Sequence, residues 1–393
     1  MGYRYAVIGS GRQGTAAGYD LAKFGDAEKI LMIDFNEVKA QTAALQINEL
    51  VDRNVASGYF GYVRKSRKVE LILADLLKGV RLFVSAVPYQ FNQELTHLAV
   101  RLGVNMVDLG GHTLTTKQQL SFYPISDKSG VTIVPDCGMG PGMNISLALY
   151  AMSLLDTPKE VFIWDGGLPQ DPKPPLNYFS SFDINGLLNE YSGKASFIRN
   201  GDVVEVSALS ELELIDFGSQ IGMLEAFVTS GGLSTAPWTF RNKLQRLENK
   251  TLRYPGHCNY FKVLNDLGFL DRDLVVGERD GAARPYDILR RILKLHLSSG
   301  DKDICVMRVQ CTGEKNSKPA QAIVELVDYF DPSTGFTAMQ RLTGWHASIV
   351  GQMAAAGMLP SGVVPIEMVP GPAVVAEARK RGFVITEKIS YVV

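Results

Sequence analysis

Three glycines near the N-terminus have a spacing that is typical of phosphate binding. The pattern is G-x-G-x-x-G, formed by Gly9, Ser10, Gly11, Arg12, Gln13 and Gly14. It follows an apolar run at residues 5–8 and precedes a helix-like run at residues 15–24. The first glycine permits a tight turn, the second lets the backbone approach a pyrophosphate, and the third lets helix and strand pack closely. Because free N–H groups at a helix N-terminus attract anions, the segment predicts a dinucleotide site.

Asp34 lies twenty residues beyond Gly14, at the end of a second apolar run at residues 30–33. A carboxylate at this place accepts hydrogen bonds from the adenosine ribose hydroxyls. It would also repel a 2′-phosphate, for which enzymes that use NADP supply an arginine. The nearest cation here is Lys39. The sequence therefore favours NAD over NADP.

Five more residues follow later predicted strands and belong to the predicted cofactor site. They are Asp75, Val87, Pro88, Asp136 and Cys137. The carboxyl ends of the strands line the ligand crevice of a doubly wound sheet. We expect Val87 and Pro88 near the nicotinamide ribose. Asp75 has two interpretations, a contact with the adenine or a helix cap.

Asp108 and His112 follow the fifth predicted strand, on the same side of the sheet. A carboxylate and an imidazole at this place could bind a substrate cation and transfer protons. Asp108 could equally be a cap or turn residue, and His112 a loop histidine bonded to the backbone. The sequence does not decide which of the two would act as the base.

A second polar group contains a guanidinium, a phenol and an imidazole, which are Arg253, Tyr254 and His257. An arginine can bind a substrate carboxylate through two parallel hydrogen bonds. Arg241 is the rival for this role, in a segment at residues 241–250 that is predicted to be helical. The alternative is a surface turn with solvated charges.

Apolar runs and amphipathic stretches alternate through the first third of the chain, which predicts a parallel sheet with helices on both faces. The predicted strands are residues 3–8, 30–33, 69–73, 82–85, 105–107 and 132–134, whereas residues 51–67 are interpreted as a helix extension and a loop. Later residues are richer in strands, with helices predicted at 238–247, 260–267 and 285–296. We expect a doubly wound dinucleotide-binding domain at 1–140, a substrate and dimerisation domain at 141–343, and helices at 344–393 that return to the first domain.

Length and composition agree with a soluble enzyme of two domains. The chain has 393 residues, a formal net charge of −1 and four cysteines without zinc-ligand spacing. A nucleic-acid-binding protein would need a basic surplus on one face. No apolar run approaches the roughly 18 residues of a membrane span, and no secretory leader is visible. We therefore expect a cytoplasmic protein with no metal and no membrane or nucleic-acid partner.

Several segments together resemble the saccharopine dehydrogenase-like family, and most of all its lysine 6-dehydrogenase branch. They are residues 9–14, 84–89, 107–111, 136–142 and 250–257. The resemblance implies a Rossmann domain completed by C-terminal helices, an inserted α+β substrate domain built on an open sheet, and a homodimer. It also implies that NAD takes hydride from C6 of L-lysine, giving 2-aminoadipate 6-semialdehyde and ammonia.

On that resemblance, Asp108 and His112 would lie at the amine of the substrate, and Arg241 or Arg253 at its α-carboxylate. Two alternatives remain open. One is the sister reaction of a saccharopine or carboxynorspermidine dehydrogenase, whose larger substrates should need more Arg and Lys around the cleft. The other is a protein that binds NAD as a sensor without catalysis.

Overall fold

The chain folds around two sheets that differ in strand direction. The computed structural model describes residues 2–61, 67–180, 184–277, 282–297 and 302–391. The first sheet is parallel and contains β1 (Tyr3–Ile8), β2 (Ala27–Asp34), β3 (Ala56–Phe60), β4 (Leu82–Ser85), β5 (Asn105–Asp108), β6 (Thr132–Val134) and the late strand β15 (Gly362–Val363). Their spatial order is β15-β6-β5-β4-β1-β2-β3, a doubly wound arrangement in which the crevice opens beside β1 and β4.

Helices join consecutive strands of this sheet. They are α1 (Arg12–Phe24), α2 (Glu37–Val51), α3 (Arg67–Leu76), α4 (Asn92–Leu102), α5 (Thr113–Leu120) and α6 (Tyr123–Ser129). Because α1 begins at Arg12, the last three residues of the glycine pattern already form its first turn. Apolar side chains from both faces of the sheet are buried against these helices.

Two predictions for the first domain are wrong. The predicted strand at 69–73 belongs to helix α3, in which Leu73 is buried and Leu71 is 63% exposed. The third strand is instead β3, within the segment interpreted as helix and loop, of which residues 62–66 lie outside the described residues. This strand has no apolar run, and a Cβ on its Gly58 would overlap the backbone of Gln41. The strand is therefore favoured by the close packing of α2 on β3, and the periodicity of the sequence does not show this packing.

The second sheet is mixed. It contains β7 (Thr157–Pro169), β8 (Lys194–Arg199), β9 (Asp202–Ser207), β10 (Glu213–Asp216), β11 (Met223–Phe227), β12 (Arg246–Arg253), β13 (Asp303–Lys315), β14 (Lys318–Tyr329) and β16 (Ile385–Tyr391). The main order is β10-β11-β12-β7-β13-β14-β16, and β8 pairs with both β12 and β9. Its helices are α7 (Met143–Ser153), α8 (Ile184–Glu190), α9 (Ala236–Thr239), α10 (His257–Asp266) and α11 (Pro285–His296). The predicted fold class, a parallel Rossmann sheet with a second sheet domain, is confirmed.

The predicted helix over 238–247 and the basic helix at 241–250 are wrong. Only the short α9 forms there, and the chain then enters β12, which runs parallel to β7. Along β12 the residues Asn249, Thr251 and Arg253 alternate in sequence and line one cavity. Side chains at alternate positions of a strand point to the same face, so strand geometry gives Arg253 its direction.

The C-terminal segment contributes to both sheets. A helix formed by α12 (Ala338–Gln340), a π-helical turn (Arg341–Trp345) and α13 (His346–Ala355) packs against α1, β4 and β5. Next, β15 pairs with β6, α14 (Gly371–Lys380) packs on α7, and β16 pairs with β14 of the second sheet. A helical return to the first sheet is therefore joined by two strands that the sequence analysis did not anticipate.

None of the helices in the described ranges combines the length and the apolar character that a bilayer crossing requires. Across the same ranges, no three His, Cys, Asp or Glu side chains converge as a metal site would demand. The four cysteine thiols are buried and form no disulfide.

Candidate active site

The glycine pattern has the geometry of a dinucleotide-binding turn. Gly9 has a φ of 103°, and a Cβ there would overlap the carbonyl oxygen of Ala86. A Cβ on Gly14 would overlap the carbonyl oxygen of Gly9, so the helix approaches the strand closely. At Gly11, in contrast, a Cβ would meet no atom within 4 Å. The three glycines thus form a tight turn, a close packing contact and an open face beside the N-terminus of α1.

Two buried polar atoms at this turn support the presence of a bound group. The hydroxyl oxygen of Ser10 and the amide oxygen of Gln13 have no hydrogen-bond partner among the described residues. Buried polar atoms nearly always have a partner, and leaving one unmade costs about 1–3 kcal/mol. Gln13 also lines the large cavity described below. These residues therefore fit a dinucleotide, whose phosphates and riboses supply both donors and acceptors.

Asp34 ends β2 beside this turn. Its carboxylate accepts hydrogen bonds from the backbone N–H groups of Ser10 and Asn36, each at 2.9 Å. The side chain is thereby held next to the glycine turn, where the sequence analysis placed it. Arg12, also predicted at the cofactor, has an exposed side chain, while its carbonyl oxygen accepts a hydrogen bond from Gln340 at 3.1 Å.

The other predicted cofactor residues separate into three groups. Val87 and Pro88 line the large cavity. Asp136 and Cys137 are buried beneath its floor and do not line it, and burial together with the nearby Asp108 charge raises the pKa of Asp136 to about 7. Asp75 lies within α3, not after a strand, and its side chain is 74% exposed and paired with Lys78. Asp75 neither caps α3 nor reaches the cavity.

A cavity of about 860 Å³ lies between the carboxyl ends of the parallel strands and the second sheet. Its first wall comes from the loops after β4, β5 and β6, at residues 86–90, 109–111 and 138–141. Its second wall comes from β7, the loop at residues 229–232, and β12. Residues of α8 and α11 complete the lining of the cavity. Such a cavity, beside a dinucleotide turn, is where a substrate would meet a bound cofactor.

Arg253 is the central charged group of the second wall. Its side chain is only 4% exposed, and its Nε donates to the hydroxyl of Tyr191 at 2.9 Å. Nη1 donates to the carbonyl oxygen of Leu252 at 2.8 Å, and the guanidinium lies 4.7 Å from the ring centroid of Tyr178. Nη2 is 3.9 Å from Glu190, beyond hydrogen-bond distance. This edge of the guanidinium can therefore bind a substrate carboxylate.

Two acidic side chains accompany Arg253 in the cavity. Asp165 of β7 accepts a hydrogen bond from Asn249 at 2.7 Å, and its carboxylate abuts Gly140 in the loop after β6. Burial raises the pKa of Asp165 to about 6 and that of Glu190 to about 7, although Arg253 lowers both. Carboxyl groups whose pKa values lie near neutrality can accept or release a proton at physiological pH.

Asp108, predicted to act at the substrate amine, is a structural residue. It is 0% exposed and does not line the cavity. One oxygen accepts from the backbone N–H groups of Gly110 and Asp136, and the other accepts from Gln119 at 2.8 Å. The carboxylate joins the loops after β5 and β6, since both strands end at the same edge. The structure thus gives Asp108 the position of its turn-residue alternative, outside the cavity, and a catalytic role for Asp108 stays a prediction.

His112 lies near the rim of the cavity without lining it. Its Nδ1 is 3.0 Å from the Thr115 hydroxyl and it caps α5. Its ring stacks on Tyr89, with centroids 4.6 Å apart, and Tyr89 does line the cavity. Burial, with a smaller effect of the Arg272 charge, lowers the pKa of His112. The imidazole orients a wall residue and caps a helix, and it does not meet Asp108 as a catalytic pair.

The remaining predicted residues of the second domain lie outside the cavity. Arg241 is 54% exposed and pairs with Asp202 at 2.9 Å, so it does not provide a buried cation for the substrate carboxylate. Tyr254 points away from Arg253 and donates to the carbonyl oxygen of Pro169 at 2.9 Å. His257 is buried behind Tyr191. Of the candidates from segment 250–257, Arg253 alone lines the cavity.

Three further arginines line the outer part of the cavity. They are Arg272, Arg284 and Arg290. Arg272 and Arg284 are exposed, and Arg290 pairs with Asp287 at 3.8 Å. We call these three residues the rim arginines. Water screens their charges far more than that of Arg253.

Sequence reasoning missed Asp165 and Glu190. Asp165 lies within β7, and no motif distinguishes it from an ordinary carboxylate in a strand. Glu190 ends α8, which the sequence analysis did not predict. Its proximity to Arg253 depends on packing of α8 over the second sheet. A polar residue at an inward position of an apolar strand was the available signal for Asp165.

Comparison with known families agrees with this architecture. Residues 5–134 match the saccharopine dehydrogenase NADP binding domain, and residues 138–381 match the saccharopine dehydrogenase C-terminal domain. The chain belongs to the saccharopine dehydrogenase family. The two matches meet at the loop after β6, where the first wall of the cavity passes into the second domain.

Two individual relatives of this family member are each less than 30% identical to it. It is 29% identical over 231 residues to mitochondrial alpha-aminoadipic semialdehyde synthase of Mus musculus, covering 56% of this chain and 24% of the relative. It is 27% identical over 201 residues to saccharopine dehydrogenase [NADP(+), L-glutamate-forming] of Pyricularia oryzae, covering 48% and 43%. The chain thus spans less than half the length of these two relatives.

A solved structure shares the whole fold of this family member. Saccharopine dehydrogenase (L-Glu forming) of Saccharomyces cerevisiae superposes with a TM-score of 0.77, covering 99% of this chain and 100% of the other. Its sequence identity is 16%, so the likeness concerns the fold alone. Both sheets and their connection are therefore common to the two proteins.

Proposed function

We propose that this protein oxidises the 6-amino group of L-lysine with NAD. One observation carries the proposal: the inner cavity holds one buried cation, Arg253, between two acidic side chains, Asp165 and Glu190. L-Lysine carries the complementary groups, one carboxylate and two amines. Membership of the saccharopine dehydrogenase family supports an oxidoreductase acting at a carbon–nitrogen bond.

The arrangement also suggests which end of lysine lies where. Glu190 lies 3.9 Å from Arg253, so this pair suits an α-carboxylate and its neighbouring α-amino group. Asp165 abuts Gly140, in the loop on the first-sheet side of the cavity. The 6-amino group would then lie at Asp165, toward the glycine turn. Binding of the distant α-carboxylate would position C6 for reaction.

Asp165 would remove a proton from the ε-ammonium group of lysine, which must be neutral before oxidation. The lysine ε-ammonium has a pKa of about 10.4, and only the neutral amine can readily lose hydride from C6. Above its pKa of about 6, Asp165 is an ionised carboxylate that can accept the ammonium proton. Once that proton has passed on to water, the carboxylate is charged again and would stabilise the iminium cation. NAD, when bound at the glycine turn, supplies the hydride acceptor. Water then adds to the imine carbon, and ammonia leaves to give the semialdehyde.

The preference for NAD rests on Asp34. Its carboxylate is fixed beside the glycine turn by two backbone N–H groups. A 2′-phosphate at the ribose would meet this negative charge. The family domain that residues 5–134 match is named for NADP binding, so the choice of cofactor is measured separately from the substrate.

The rim arginines favour a second candidate, oxidation of saccharopine. This substrate carries additional carboxylates beyond those of lysine, and three cations at the outer cavity could bind them. We rank it second because Arg272 and Arg284 are exposed to solvent and Arg290 is paired with Asp287. Their contribution to binding would be correspondingly small.

Steady-state assays test the proposal. The purified protein is mixed with NAD or NADP and with L-lysine or saccharopine at alkaline pH, and reduced nicotinamide is followed by absorbance. Lysine-dependent reduction of NAD is expected, with release of ammonia in equal amount. A response to saccharopine alone would replace the proposal with the second candidate. Binding of NAD with no turnover on either substrate would contradict both.

A homodimer and a cytoplasmic location remain predictions. Size-exclusion chromatography with light scattering checks the first, since a dimer would have twice the 43.1 kDa mass of the chain.

A further inference from the structure

A chain of hydrogen bonds runs from Arg253 away from the cavity. The Nε of Arg253 is 2.9 Å from the Tyr191 hydroxyl, which is 2.9 Å from Nε2 of His257. Nδ1 of His257 is 3.0 Å from the carbonyl oxygen of Leu176. Apart from Arg253 itself, no member of this chain of hydrogen bonds lines the cavity. We call Arg253, Tyr191, His257 and the Leu176 carbonyl the relay.

The two ends of the relay determine the direction of every bond. Arginine can only donate, so the Tyr191 hydroxyl accepts from Arg253. The Tyr191 hydroxyl then donates a hydrogen bond to Nε2 of His257, which accepts it with its lone pair. A carbonyl oxygen can only accept, so Nδ1 of His257 is protonated and donates the hydrogen bond to the carbonyl oxygen of Leu176. The relay therefore requires a neutral imidazole in the Nδ1–H tautomer.

The surroundings of the imidazole keep it neutral. His257 is 1% exposed, and its ring stacks on Phe261 with centroids 4.8 Å apart. Burial, with a further effect of the Arg253 charge, lowers the pKa of His257 to about 3. Burial also raises the pKa of Tyr191, so the phenol keeps its proton. A protonated imidazole would turn an N–H toward the Tyr191 hydroxyl and place a second cation near Arg253.

We propose that Tyr191 and His257 are positioning residues, which aim the guanidinium of Arg253 at the carboxylate of the substrate. The relay holds Nε, and Leu252 holds one side of Nη1, so Nη2 and the rest of the outer edge face Glu190 and the cavity. Without the relay, a buried guanidinium could rotate toward other acceptors. The role in substrate binding rests on the proposed function, whereas the tautomer of His257 does not.

Kinetics of Tyr191→Phe test whether Tyr191 orients the guanidinium of Arg253. This variant removes one hydroxyl and keeps the ring. We expect KM for L-lysine to rise roughly tenfold or more, since a misaimed charge-assisted bond is lost, while kcat stays within about threefold. Inhibition by 1,5-diaminopentane, which has no carboxylate, should not change. Tyr254→Phe is the matched control, because it removes a comparable hydroxyl bond from the neighbour of Arg253 outside the cavity.

His257 variants separate positioning from general loss of structure. His257→Gln keeps a side-chain acceptor for the Tyr191 hydroxyl and should retain KM within about threefold, whereas His257→Leu should resemble Tyr191→Phe. Equal weakening of lysine and diaminopentane in Tyr191→Phe would overturn the proposal. So would an unchanged KM for lysine in both Tyr191→Phe and His257→Leu.

A spectroscopic measurement tests the relay independently of any substrate. The protein has five histidines, and ¹⁵N spectra of histidine-labelled protein can be assigned by loss of one signal in His257→Gln. His257 should show the neutral Nδ1–H tautomer from about pH 6 to about pH 9. An Nε2–H tautomer or a protonated ring would overturn the relay. If wild-type protein shows this tautomer but does not oxidise lysine, the proposed function fails and the relay stands.

Discussion

Replacing Asp165 with Asn should make the protein more stable and far less active. Burial raises the pKa of Asp165 from 3.8 to about 6 in the folded protein. A shift of one pKa unit corresponds to 1.36 kcal/mol, so the ionised carboxylate destabilises the fold by about 3 kcal/mol. Asn has nearly the same shape, carries no charge, and can still accept the hydrogen bond from Asn249. Asp165→Asn should therefore increase the free energy of unfolding by up to about 3 kcal/mol at pH 8.

The pH dependence of this gain follows from the sign of the shift. Because the folded-state pKa is the higher one, the cost of the carboxylate is absent below the unfolded value of 3.8 and complete above about 6. The stability difference between Asp165→Asn and wild type should thus disappear near pH 4 and be largest at alkaline pH. Urea denaturation at several pH values measures it.

Turnover should change in the opposite direction. Loss of a general base typically lowers the rate by about 10²- to 10⁴-fold, and we expect a fall of this size in kcat with lysine. In wild type, kcat/KM should fall as the pH drops through about 6, since protonated Asp165 cannot accept the ammonium proton. Glu367→Gln is the matched control: Glu367 is buried, has a raised pKa and lies outside the cavity. A kcat of Asp165→Asn within threefold of wild type would refute the catalytic role, and unchanged stability would refute the cost of burial.

Three further predictions follow from the positions of charged groups. Asp34→Ser should lower the ratio of kcat/KM for NAD to that for NADP by roughly tenfold or more, because the charge that repels a 2′-phosphate is removed; a constant ratio would argue against this role. Asp108→Asn should leave kcat of the folded protein within about threefold, because Asp108 is fully buried outside the cavity; steady-state kinetics with L-lysine check this, and a large loss of kcat would show a catalytic role. Arg284→Ala should leave oxidation of lysine nearly unchanged; a tenfold loss with lysine would show that the rim takes part in binding it.

The cofactor end of the site could be predicted because its determinants are local. The order Gly9, Gly11, Gly14 specifies a turn whose backbone geometry depends on the absence of side chains, and Asp34 ends the next strand. The parallel strands could be found for the same reason, since a buried strand needs a run of apolar residues. The third strand was missed because β3 lacks such a run.

Apart from Arg253, the substrate end could not be predicted, because it depends on groups that are distant in sequence. Asp165, Glu190 and Arg253 come from β7, α8 and β12, and their charges interact only after the second sheet has formed. Asp108 has the residue type and the strand-end position of a catalytic acid. The donors that occupy it, above all Gln119 on α5, become neighbours only in the folded chain.

The sequence by itself thus determined the doubly wound fold, the glycine turn and the position of Asp34, since each of these follows from residue type and spacing over a few tens of residues. Tertiary structure alone decided which polar side chains face the cavity and which ones support it from behind. Arg253 and Tyr254 are adjacent in sequence, yet strand alternation sends one into the cavity and the other to the carbonyl oxygen of Pro169. The physical reason is that burial and hydrogen-bond partners set the charge and direction of a polar group, and both depend on packing between elements far apart in the chain.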